Sequence, residues 1–222
     1  MSSVQPFFTP EAIEAESFAI IDREAGPDLP FSGRSWEVAR RLVHTTADFD
    51  ILNHLFVSEA AISAGVAAIR RGVPIFTDTD MARCGMPARR LSPFGITPLC
   101  LLYLPGVAEK AVQAGSTRAK AAFDLAADRL AGSIVAVGNA PTALLALTEY
   151  LQSGGEPPAL VVAMPVGFVN AAESKALFVQ YCETAADAAP ACIAITGRKG
   201  GSPLAAATIN ALAEIALRES RA

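Results

Sequence analysis

The spacing of apolar and polar positions divides the chain into two rhythms. From Pro10 to about Glu24, Ile13, Phe18 and Ile21 fit one face of a helix. Thr9-Pro10 supplies its start, an N-cap residue followed by proline at the first helical position. Gly26, Pro27 and Pro30 break that pattern. A second helix is predicted from about Ser35 past His44, with Trp36, Ala39, Val43 and Ala47 on one stripe, and a third from its cap Ser58 to Gly72. From Val73 onward, short apolar runs alternate with longer helical patterns. Val73–Phe76, Leu99–Leu104, Ile134–Val137, Leu160–Met164 and Cys192–Thr196 read as strands. Thr117–Leu130, Pro141–Gln152, Ala171–Ala185 and Pro203–Arg218 read as helices.

Strands that are apolar throughout and separated by helices belong to a parallel sheet covered on both faces. Right-handed crossovers are the expected connections. The predicted fold is therefore α/β: a three-layer α/β/α sandwich on a mainly parallel five-stranded sheet, with extra helices at the N-terminus. Gly154-Gly155-Glu156-Pro157-Pro158 reads as a helix-to-strand turn rather than a linker, so residues 1–222 are expected to form one domain. The long uncharged run between Arg129 and Glu149 imitates a membrane span, but Gly138, Asn139 and Pro141 make it strand, turn and helix.

Composition narrows the function classes. Of the 222 residues, 52% are apolar and 18% charged, which excludes disorder as the main state. With 18 Lys and Arg against 22 Asp and Glu, the net charge of −4 argues against a nucleic-acid partner. The N-terminal segment has neither a basic n-region nor an apolar h-region, so a soluble, cytoplasmic protein without a membrane partner is expected. Cys84, Cys100, Cys182 and Cys192 form no C-x-x-C pair and stand beside only two histidines. The expectation is four buried free thiols, with neither a metal site nor a disulfide framework.

Ligands of open parallel sheets sit beyond the carboxyl ends of the strands. That rule singles out four loops: Thr77–Asp80, Gly138–Thr142, Pro165–Asn170 and Gly197–Ser202. Gly138-Asn139-Ala140-Pro141-Thr142 suits a tight turn into a helix, whose amides near Thr142 and Ala143 can hold an anion. An ordinary strand-to-helix turn explains the same residues. Met164–Asn170 makes an irregular loop ending in Asn170 as a helix cap, and Gly197–Ser202 carries Arg198 and Lys199, which can receive a carboxylate. Neither the dinucleotide fingerprint nor the Walker spacing is met. His44 is the better of the two histidines as a proton donor, because Arg40 and Arg41 lie one turn before it and Asp48 one turn after. An ordinary imidazole, with a pKa of about 6.5, gives or takes a proton at neutral pH.

The chain resembles the precorrin-8X methylmutase family of cobalamin biosynthesis. The resemblance rests on Glu16-Ser17-Phe18-Ala19-Ile20-Ile21, Arg41-Leu42-Val43-His44-Thr45-Thr46, Gly115-Ser116-Thr117-Arg118, Gly138 through Leu144, Met164 through Val169, Ala171-Ala172-Glu173-Ser174-Lys175 and Gly197 through Ser202, in family order. It implies a flavodoxin-like fold, a homodimer, and migration of a methyl group from C-11 to C-12 of a corrin-type macrocycle. It implies no cofactor, since the substrate carries its own methyl group. It implies His44 as the proton donor to a ring nitrogen, with Ser17, Arg118, Thr117, Asn139 and Gly167 binding the tetrapyrrole. The stretch Cys84–Arg90 departs from the family's Gly-x-x-Arg-x-Arg or Gly-x-x-Lys-x-Arg pattern, with Ala88 where a basic residue stands, and neither Arg89 nor Arg90 is assigned as a ligand. A tetrapyrrole-binding protein without catalysis is the alternative. A nucleotide-dependent oxidoreductase or methyltransferase on a similar sheet is permitted by the fold alone.

Overall fold

The computed structural model describes residues 9–185 and 188–221. Phe7 and Phe8, to which the sequence attaches no function, lie outside the described residues. The elements run α1 (Pro10–Ala25), α2 (Gly33–Thr46), β1 (Leu55–Phe56), α3 (Glu59–Arg70), β2 (Ile75–Thr77), α4 (Asp80–Cys84), α5 (Ala88–Leu91), β3 (Leu99–Cys100), α6 (Val107–Gln113), α7 (Arg118–Ala126), β4 (Ile134–Val137), α8 (Pro141–Gln152), β5 (Leu160–Ala163), α9 (Ala171–Thr184), β6 (Ala191–Ile195) and α10 (Ser202–Glu219). Short 3₁₀ turns follow several of them.

The sheet order is β1-β6-β5-β4-β2-β3. β2 through β6 are mutually parallel, and in chain order they stand second, first, third, fourth, fifth, which is the flavodoxin-like arrangement. The sheet has a sixth strand, β1, which runs antiparallel on the β6 edge with Leu55 opposite Ile195. Two residues are too short to display a period, so the sequence pattern passes over them. The run Leu99–Leu104 is strand for only two residues and then turns into a 3₁₀ segment, Leu101–Tyr103. It forms the other sheet edge, where β2 is its sole partner in the sheet.

Both faces of the central strands are apolar, and their residues divide by alternation. Ile134, Ala136, Leu160 and Val162 join a cluster with Leu42, Ile62 and Leu212, whereas Val135, Val137, Val161 and Ala163 join another with Phe123, Leu147 and Phe178. Helices α2, α3 and α10 thus cover one face and α7, α8 and α9 the other. Each fully buried leucine contributes about 1.5–3 kcal/mol. α10 packs on both α2 and α3 as well as on the sheet, which explains its many small buried residues, Ala205, Ala206, Ala207, Ala213 and Ala216 among them.

The thiol expectation holds only in part. Cys100 and Cys192 are buried, but Cys182 is half-buried and Cys84 is exposed at the end of the short surface helix α4. All four are free thiols. No helix among the described residues is long and apolar enough to cross a membrane.

Candidate active site

Ser17 and His44 meet across the α1–α2 seam. Ser17 lies mid-way along α1 and His44 in the last turn of α2, and Ser17 Oγ is 2.7 Å from His44 Nδ1. Both side chains are half-buried and line a cleft of about 340 Å³ together with Ile13, Ile20, Val43 and Phe49. The cleft wall is mainly apolar, with Glu16 and Glu24 also along it. Because Nδ1 faces the serine hydroxyl, Nε2 is the nitrogen left to exchange a proton with a ligand. The hydroxyl can accept from Nδ1–H or donate to a bare Nδ1, so it accompanies both protonation states of the ring.

The surroundings fix the ring. Phe18 presses edge-on against His44, with centroids 5.2 Å apart and an interplanar angle of 66°. The Arg40 and Arg41 guanidinium groups sit over Phe18 at 4.5 and 4.9 Å. One turn along both helices, Arg41 Nη1 donates to Glu14 Oε1 at 2.5 Å, a tie parallel to the Ser17–His44 contact. Burial pushes the Glu14 carboxyl up, but the hydrogen bond and charge of Arg41, with the charge of Arg90, hold it below its ordinary range. Arg90 is itself buried and also paired with Glu214 on α10. It therefore ties α5 to α1 and α10, and Arg89 beside it is exposed.

The turn behind His44 differs from the sequence expectation. The stripe predicted through Ala47 ends at Val43. Ala47 adopts a left-handed conformation (φ 52°) and closes α2 with its N–H on the Val43 carbonyl at 2.7 Å. Asp48 is therefore outside the helix and does not sit one turn along from His44. It caps the following 3₁₀ segment, accepting from the Asp50 N–H at 2.8 Å. The Lys199 ammonium donates to Asp48 Oδ2 at 2.5 Å and to Asp50 Oδ2 at 2.8 Å. The Gly197–Ser202 loop does receive carboxylates, then, but those of its own chain. Lys199 holds both acids below their ordinary range, Asp50 at about 2.

Asn139 and Gly167 lie beyond the carboxyl ends of β4 and β5, and Thr117 and Arg118 begin α7 beside the start of α8. Thr117 caps α7 by accepting from the Lys120 N–H at 3.1 Å, and its hydroxyl is 2.8 Å from that of Thr142 on α8. Arg118 is the first residue of α7 and is exposed, as is Asn139. Gly167, at φ 140°, donates to the Arg198 carbonyl at 3.2 Å, and the Arg198 guanidinium sits over the exposed Phe168 ring at 5.3 Å. Of the six predicted site residues only Ser17 and His44 line the cleft. Asn170 occupies the N-cap position of α9 but is left-handed (φ 59°), and its side chain makes no capping bond.

The amides just before those expected to hold an anion are occupied from within the chain. Asp78 follows β2 at the point where the strand order reverses. Its carboxylate accepts from the N–H groups of Gly138 (2.8 Å), Asn139 (2.8 Å) and Ala140 (2.7 Å). The Ala143 N–H goes to the Ala140 carbonyl at 3.0 Å. Burial pushes the Asp78 carboxyl up, against the three amides that pull it down. The switch point that receives phosphate in other doubly wound sheets is here closed by an internal carboxylate. Sequence reasoning marked the loop Thr77–Asp80 and the segment Ala171–Lys175 but gave Asp78 and Lys175 no role of their own. Among the described residues, no group of three or more potential metal ligands occurs.

Comparison with known proteins gives a consistent picture. The family model for precorrin-8X methylmutase matches residues 12–215. A cobalt-precorrin-8 methylmutase of Leptospira interrogans is 41% identical over 202 residues, covering 90% of this chain and 91% of the relative. A precorrin-8X methylmutase of Sinorhizobium sp. is 41% identical over 203 residues, covering 91% and 93%. The crystal structure of precorrin-8X methylmutase from Thermus thermophilus superposes with a TM-score of 0.83 at 43% identity, over 94% of this chain and 98% of that one.

Proposed function

Because the chain belongs to the precorrin-8X methylmutase family, we propose that it is an intramolecular isomerase of cobalamin biosynthesis. In this reading it moves a methyl group from C-11 to C-12 of precorrin-8X, or of its cobalt-containing counterpart, giving hydrogenobyrinic acid or cobyrinic acid. One C–C bond breaks and one forms, and the product is an isomer of the substrate. No external methyl donor enters, because the migrating group is the substrate's own.

The observation that carries the mechanism is the Ser17–His44 pair on an apolar cleft wall. An imidazole held at Nδ1 by a hydroxyl offers Nε2 to a ring nitrogen. A proton placed there draws electrons into the macrocycle and eases the methyl shift, and the proton returns to Nε2 as the product forms. The apolar wall suits the flat face of the ring. Thr117 and Arg118 at the start of α7, with Asn139 and Gly167 on the strand-end loops, suit the peripheral carboxylates.

A cleft of about 340 Å³ is at the lower end of ligand cavities, about 300–1,000 Å³, and a tetrapyrrole is larger than a typical occupant. That supports a homodimer in which a second copy covers the rest of the ring; a cytoplasmic location is part of the same proposal. Sedimentation velocity tests the dimer, and a monomer under assay conditions removes it.

The first test of function is a visible-absorption assay with precorrin-8X, run on the intact protein and on His44→Ala. Conversion by the intact protein, with kcat about 10²–10⁴-fold lower in the variant and product binding retained, is the expected result. Binding without conversion by the intact protein leaves a tetrapyrrole-binding protein instead.

A further inference from the structure

Lys175 is fully buried on α9, and among the described residues no carboxylate pairs with its ammonium. A buried cation without a counter-charge is unfavourable unless its hydrogen bonds serve something else in the fold. Its one hydrogen bond goes to the backbone carbonyl of Lys199, in the loop after β6.

That loop is fixed from several sides. The Gly201 N–H donates to the Met164 carbonyl at 2.8 Å, and the Arg198 carbonyl accepts from Gly167 at 3.2 Å. At Gly200 a side chain would meet the Met164 carbonyl oxygen at 2.3 Å, so the two loops approach as closely as backbone allows. The Lys199 side chain leaves this fixed loop and bonds Asp48 and Asp50. Those acids hold the turn that begins with left-handed Ala47, three residues after His44, and both Ala47 and Phe49 belong to the cleft wall. A left-handed alanine persists only when its surroundings over-determine it.

We infer that Lys175 and Lys199 are positioning residues of the proposed reaction: Lys175 fixes the loop after β6 from beneath, and Lys199 carries that fixed point to Asp48 and Asp50, holding the turn that sets His44 in the cleft. The inference rests on the isomerase reading for its catalytic part. It extends the site from the α1–α2 seam to α9, on the opposite face of the sheet.

The test uses Lys199→Met, Lys175→Met and Lys199→Arg in the full chain. Two readouts are taken: steady-state turnover, and the ¹H–¹⁵N imidazole spectrum of the ligand-free protein. The spectra, including the reference, are recorded in one His54→Gln background, which leaves His44 as the single histidine and removes the 3.4 Å His54–Asp50 contact equally from every sample. Both methionine variants are expected to lower kcat about 10- to 100-fold with KM within about twofold, the effect of misplacing a catalytic group by a fraction of an ångström to an ångström. Both are expected to shift or broaden the His44 resonances. Lys199→Arg, whose guanidinium can span the same two carboxylates, restores both. Unchanged turnover and spectra, or a change in one readout without the other, overturns the inference. If the intact protein does not convert precorrin-8X, the isomerase reading fails instead, and the His44 spectrum alone decides whether Lys199 reaches the imidazole.

Discussion

Ser17 does two things for His44: it occupies Nδ1, and it holds the imidazole against the edge of Phe18. The alanine variant keeps the helix and the phenylalanine contact but frees the ring to turn. A hydrogen bond of this kind contributes about 1 kcal/mol net, so Ser17→Ala is expected to lower kcat roughly fivefold to tenfold. Steady-state kinetics with precorrin-8X check this, and a variant with wild-type kcat would take the orienting role from Ser17. His44 was legible from its neighbours on α2 and Ser17 only through family resemblance, while their contact was not legible, since they stand 27 residues apart and nothing in their spacing brings them together. Asp78 and Lys175 show the other side of the matter. A single charged residue in an apolar stretch has no local signature that separates a buried hydrogen-bonded group from a solvated one. Only the tertiary neighbours, three amides for Asp78 and one carbonyl for Lys175, give them a role.

Helix α1 is attached to the molecule mostly by polar contacts, with Ile21 its one buried residue. Asp22 accepts from Trp36 Nε1 at 2.7 Å and from Arg40 at 2.6 Å, and Glu14 pairs with Arg41 and Arg90. These ties set the register that brings Ser17 to His44. Glu14→Gln keeps the shape and removes the charge, and is expected to destabilise the fold by about 1 kcal/mol at neutral pH and to raise KM. Arg41 and Arg90 depress the Glu14 pKa, so this contribution is present above the ordinary value of 4.5 and lost as pH falls through the lower folded value. Urea unfolding of both proteins at pH 7 and below pH 4 checks the sign, and a difference that persists in acid would show that charge is not its cause. At the scale of elements the sequence was most readable where an apolar run was bounded by turn residues. Ile134–Val137 and Pro141–Gln152 appear with the predicted bounds. It was least readable at the sheet edges, where β1 and β3 have two residues each, and at the end of α2. At the end of α2 left-handed Ala47 breaks the helical stripe, and the acids that follow it are bonded to distant Lys199.

At the scale of the whole molecule, both sheet faces announce themselves in uninterrupted apolar strands, and the layered architecture follows. What the pattern does not carry is the linkage between layers, because that linkage consists of isolated polar contacts between distant segments. Lys175 is the clearest case, and it makes a prediction about global stability. Burial alone lowers its pKa from 10.5 to about 8. Between those values the unfolded chain binds the proton and the folded chain does not, so stability rises with pH across that window. Below it both states are protonated and the burial penalty is constant. The separation corresponds to about 3 kcal/mol. Relative to Lys175→Met, the intact protein should therefore gain up to about that much as pH rises from 8 to 10.5, measured by urea unfolding at each pH. At pH 7 the methionine variant is expected to be at least as stable as the intact protein, since an apolar side chain of similar length fits a site that penalises charge. A protein that becomes more stable and less active on losing one buried ammonium would tie the two findings together: Lys175 destabilises the fold where it holds the loop after β6, and the proposed reaction depends on that loop. A stability difference that stays flat from pH 8 to 10.5 would mean that burial does not lower the Lys175 pKa, its charged form being held by the bond to the Lys199 carbonyl.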